Sequence, residues 1–190
     1  MKILANIEKL TEIRFLRLSK LREYIEISIF SLIALSIPIL IGHPQLVVGS
    51  IVNFMIVRSS LSTKKWKNLP IILLPSIGVL LRGVLFGTFT KFLIVIIPFI
   101  WAGNLVLSLL TKNLLIIKGK NSRIIAIVLI PFVKTLIIFI PVLLLVKLEI
   151  LPKPFVESMG MVQLYTASLG LLAGLFSIQI ENYFRTKVAK

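Results

Sequence analysis

Between Ile124 and Val146 the chain reads IIAIVLIPFVKTLIIFIPVLLLV, with Lys134 as its one charged residue. A run of this length crosses about 30 Å of hydrocarbon at 1.5 Å per residue, and it recurs along the sequence. Few folds can absorb several such runs. The backbone polar groups of a lipid-immersed segment must be satisfied within it, which selects helices or closed barrels. The runs are continuous and do not alternate polar with apolar, which argues against a barrel. The 190 residues are 57% hydrophobic and 15% charged, with a mean hydropathy of +1.03. The expectation is an all-α polytopic membrane protein with one membrane domain.

Six spans are expected, at about 25–41, 45–57, 69–87, 89–110, 124–146 and 161–180. Residues 1–24 have apolar side chains at helical spacing, interleaved with charge. They read as an amphipathic helix on the membrane surface, or otherwise as a solvated basic arm. The six-helix domain is placed at 25–182 and a basic cytoplasmic tail at 183–190. Pro98, Pro131 and Pro141 predict kinks that neighbouring helices can satisfy. The 147–160 stretch, KLEILPKPFVESMG, reads as an ordered loop able to cap a site.

Lys and Arg total 22 against seven Glu and no Asp. With six alternating spans, Lys91, Lys147 and Lys153 fall on one side, and Arg82 and Lys134 fall inside spans. All the remaining basic residues share the side of the two termini. The positive-inside rule therefore predicts a multi-pass protein of the cell (inner or plasma) membrane with both termini cytoplasmic. The basic residues carry topology, so no nucleic-acid partner is expected.

Several chemistries lack their residues. There is no Cys, one His and no Asp, which leaves no thiolate, cluster or metal site. No G-x-x-x-x-G-K-[ST] loop is present, so ATP hydrolysis needs another chain. Ser76 and His43 lie on different spans with no third partner, and no enzyme or cofactor is expected.

Polar groups in hydrocarbon are costly and mark function. Lys134 lies roughly 16 Å into its span at 1.5 Å per residue, near the midplane with Asn53. Asn104 is somewhat nearer the cytoplasm. Arg82, Gln163, His43 and Gln45 lie toward the outer side. Every Glu sits at a span end or in a loop, so Lys134 has no carboxylate at its depth. A buried cation without a partner either deprotonates or meets an anion; an anionic small molecule entering from outside would supply the missing charge, with Arg82 as a second, bidentate contact. Otherwise Lys134 snorkels and Arg82 pairs with Glu149 or Glu157. Asn53 and Asn104 serve equally as interhelical hydrogen-bonding groups, with Ser76 a further polar residue. Ala167, Gly170, Gly174 and Ser177 form a small-residue stripe, and Gly83 and Gly87 are four apart; both suggest close helix packing.

The segments HPQLVVGSIVN, LLPSIGVLLRG, IIPFIWAGNLVLSLL and FVKTLIIF resemble an uncharacterised prokaryotic family of small membrane proteins, sometimes labelled "iron hydrogenase protein". The likeness rests on Gln45, Gly49, Asn53, Pro75, Ser76, Pro98, Phe99, Asn104 and Lys134, over roughly residues 27–178. The label cannot describe a chain without Cys. The overall plan is similar to the substrate-capture (S) subunits of energy-coupling-factor vitamin transporters. That likeness implies an outward-facing vitamin site lined by His43, Gln45, Asn53, Arg82, Lys134 and Gln163. It also implies partners: a transmembrane scaffold and ATPases, besides the membrane lipids. In place of the Ala-xxx-Ala patch by which S subunits dock the scaffold, the first span has Ser31 and Ala34. The competing expectation is a non-transporting structural or assembly subunit of a larger membrane complex.

Overall fold

The computed structural model describes residues 19–41, 43–63, 66–83, 87–115 and 120–188. Their regular structure is entirely helical: α1 (Lys20–Leu40), α2 (Gln45–Ser62), α3 (Leu69–Arg82), α4 (Leu93–Leu114), α5 (Lys120–Lys147), α6 (Pro154–Met159) and α7 (Met161–Val188). Five helices are long and apolar enough to cross a membrane, and α3 is a shorter apolar sixth. The chain is an all-α polytopic membrane protein.

Helix boundaries follow local chemistry that hydropathy does not register. The amphipathic reading of 1–24 lies mostly outside the described residues. Lys20–Tyr24 already belong to α1, whose start is set by Ser19, with its hydroxyl accepting from the Arg22 amide at 3.4 Å. Hydropathy ends the second span at Val57, yet α2 continues to Ser62 because Arg58 is neutralised by carboxylates. Hydropathy carries the third span to Gly87, yet α3 stops at Arg82. Gly83 takes φ +66°, and its amide closes the last turn on the Val79 carbonyl at 3.1 Å. A 3-10 turn at Gly87–Phe92 then leads into α4, which starts later than expected. The 147–160 segment is not all loop, since it contains α6. The expected tail at 183–190 is helical up to Val188, the end of α7.

α2 is the most buried long helix and packs most extensively on α7. Gly170 makes this possible. A Cβ built there stands 2.4 Å from Asn53 Cβ and 2.7 Å from the Phe54 amide nitrogen. Gly174 similarly abuts Val57, so the small-residue stripe packs within the chain. Gly83, by contrast, has open space around it and serves the turn. The pairs α1·α3 and α4·α5 complete the bundle.

The apolar core divides in two. One cluster, around Met55, Ile56, Ile71, Leu107, Ile130 and Leu175, lies toward the start of α1. The other, around Leu93, Ile96, Ile138, Val142, Phe155 and Met159, lies toward α6. On α5 the residues Ala126, Ile130, Lys134, Ile138 and Val142 recur every four positions, and all are buried. Lys134 therefore occupies the seam between the clusters, on the inward stripe of its helix.

Candidate functional site

Lys134 is 1% exposed, so it does not snorkel. Its Nζ donates to Asn53 Oδ1 at 2.5 Å, the one acceptor given to it among the described residues. Both side chains line a cavity of about 80 Å³ in the half of the bundle away from the start of α1. Gln45, Ser76, Asn104 and Gln163 also line it, with Pro38, Leu93, Ile97 and Met159 among the apolar wall. This volume accommodates a small cluster of waters, or one carboxylate or phosphate group.

The local sequence explains how α3 and α4 frame this space. Pro75 has no amide hydrogen, which opens the hydrogen-bond ladder of α3 where it borders the cavity. Two donors on α4 serve the carbonyls there. Trp101 Nε1 reaches the Leu73 carbonyl at 3.2 Å, and Asn104 Nδ2 reaches that of Ile72 at 3.4 Å. Asn104 thus both supports α3 and presents its amide to the cavity. Gln163, at the start of α7, makes only a 3.9 Å contact to Met159 Sδ. Its amide keeps hydrogen-bonding capacity to spare.

The structure gathers Gln45, Asn53, Lys134 and Gln163 from the expected set, with Ser76 and Asn104. It does not bring in two others. His43 is exposed in the turn before α2 and is not part of the cavity wall. Arg82 is turned away, its guanidinium donating to the Ile39 carbonyl at the end of α1. There it neutralises a helix C-terminus and pairs with neither Glu149 nor Glu157. Among the described residues, Lys134 is therefore the one basic side chain in the cavity wall.

A second polar assembly, at the opposite end of the bundle, escaped the sequence reading. Arg58 on α2 pairs with Glu181 on α7 and lies 3.6 Å from Glu26 on α1. Ser62 donates to the same Glu26. Deeper in, Ser60, Ser108 and Asn68 share hydrogen bonds of 2.8–3.2 Å among α2, α4 and the residue before α3. Its signal was present: Arg58 and Ser62 are one helical turn apart, and Glu26 and Glu181 stand at the ends of apolar runs. Counting Arg58 as a loop charge concealed it. Lys67 bonds Glu23 at 2.7 Å beside this assembly, and that hydrogen bond raises the lysine pKa above its ordinary 10.5.

Comparison of the chain with family models, curated proteins and solved structures gives no match. The functional reading therefore rests on the geometry of the cavity and on Lys134 within it.

Proposed function

We propose that this chain is a membrane-embedded binding subunit for uptake of a small anionic, vitamin-like solute, energised by separate ATPase partners. The observation that carries the reading is Lys134, a buried amine in the wall of a cavity, with a neutral amide as its partner and, among the described residues, no carboxylate in that wall. An isolated charge in a low-dielectric interior is strongly disfavoured, and an entering anion relieves that cost. The neutral donors of Asn104, Ser76 and Gln163 suit the remaining oxygens of a carboxylate or phosphate. With the termini cytoplasmic, the cavity lies in the outer half of the membrane, where a capture subunit meets its solute. The reading assigns energy coupling to other chains, in keeping with a sequence that has no G-x-x-x-x-G-K-[ST] loop.

The test is native mass spectrometry of protein purified from its own membranes, paired with uptake in cells that depend on it. The expected result is a retained anionic small molecule that is lost in Lys134→Ala, together with lost uptake. If nothing is retained and Lys134→Ala leaves uptake unchanged, the proposal fails and an assembly role takes its place.

A further inference from the structure

Beside the cavity lies a larger space. A groove of about 670 Å³ runs among α5, α6 and α7, bordered by Phe132, Leu136, Phe139, Met161 and Leu164. Phe132 and Met161 are half exposed, so the groove faces the hydrocarbon. Its rim carries Lys153 and Glu157, of opposite charge, which gives an anion no net attraction there.

The groove and the cavity are bordered by neighbouring residues of α5, α6 and α7. Adjacent residues divide between them: Lys134 faces the cavity and Thr135 the groove, Met159 the cavity and Gly160 the groove, Gln163 the cavity and Leu164 the groove. Met159 lines the cavity and stands next to Gly160, which borders the groove. Its side chain is unbranched and flexible, held among the described residues by one weak polar contact, from Gln163 to its sulfur.

These dimensions bear on the solute. Sites for whole organic molecules commonly span about 300–1,000 Å³, which the groove meets and the cavity does not. The cavity suits a charged head and the groove an apolar body. We infer that the solute is an amphiphilic anion, whose head is neutralised by Lys134 while its apolar part lies in the groove, the two spaces joining when the flexible Met159 side chain turns aside. An apolar chain is about equally stable in the groove and in surrounding lipid, so recognition resides in the head. Entry is lateral, from the membrane. This inference rests on the anion reading of Lys134 given above.

The test uses the full chain in lipid nanodiscs with a palmitate analogue carrying a diazirine at its chain end. Cross-links are expected to concentrate in residues 132–139 and 156–164, and to fall at least tenfold in Lys134→Met. Leu164→Trp, which fills the groove without altering the cation, is expected to lower them at least fivefold. Even labelling over all lipid-facing helices overturns the inference, as does groove labelling that survives Lys134→Met, the behaviour of an ordinary annular lipid. Stabilisation by butyrate separates the two readings. If butyrate protects the wild type but not Lys134→Met while labelling stays unlocalised, only the amphiphile inference fails. If butyrate has no Lys134-dependent effect either, the anion site fails with it.

Discussion

Lys134 on α5 and Asn53 on α2 are joined by a hydrogen bond between the two apolar clusters of the core, and Gly170 on α7 presses against the Asn53 Cβ from behind. The amide that partners the buried cation is thus itself fixed by backbone contact. Removing it leaves the ammonium without its acceptor. Asn53→Leu should destabilise the protein by roughly 1–3 kcal/mol, the cost of leaving a buried donor without its acceptor. Asn53→Leu with Lys134→Met should recover most of that loss, because two apolar side chains then meet. Chemical denaturation of the two single variants and the double variant in detergent measures the coupling; additive effects would refute the pairing.

Gly170 and Gly83 make a contrasting pair. Gly170→Ala puts a methyl 2.4 Å from Asn53 Cβ, so α2 and α7 must separate, at a cost of roughly 1–3 kcal/mol. Gly83→Ala meets no neighbour but is strained at φ +66°, costing about 1 kcal/mol. Only Gly170→Ala should also weaken solute binding, which ligand-induced thermal stabilisation of each variant will report.

Arg58 holds two carboxylates from separate helices, with its side chain 10% exposed and those of Glu26 and Glu181 at 14% and 27%. Arg58→Met should destabilise the bundle by roughly 2–4 kcal/mol, because it leaves two like charges facing each other in a partly dry setting. Adding Glu181→Gln to Arg58→Met should restore part of the loss. If Arg58→Met is neutral in a denaturation series, the assembly is ornamental.

Lys67 allows a pH test. Its folded pKa lies above the ordinary 10.5, so folding favours the protonated amine. The resulting stabilisation is complete below about pH 10.5 and is lost as pH rises through the folded value. The melting-temperature gap between wild type and Lys67→Met should therefore stay level from pH 7 to 9 and close only above 10.5. A gap that closes below pH 9 contradicts the assignment.

The chain contains no Cys, so single cysteines report topology directly. Cysteines replacing Lys67 and Lys153 should react with a membrane-impermeant maleimide from opposite faces. Position 153 is expected to react in intact cells and position 67 only after permeabilisation. The reverse pattern would invert the expected orientation.

The apolar runs alone determined that this chain is helical and crosses the membrane repeatedly, because lipid offers the backbone no other hydrogen-bond partner. Lys134 and Asn53 stood out as candidates for the same reason: polar groups within such runs are conspicuous. Tertiary structure decided which polar residues meet. Arg82 has the right charge and approximate depth, yet its direction from α3 takes it to the Ile39 carbonyl, and His43 stays exposed in the turn before α2. Arg58 read as a loop charge until Glu26 and Glu181, far from it in sequence, closed on it and let α2 continue. The nearness of the cavity and the groove arises only where α5, α6 and α7 pack together. Hydropathy measures what a segment prefers around it, whereas a site depends on which faces of distant segments are turned toward one another.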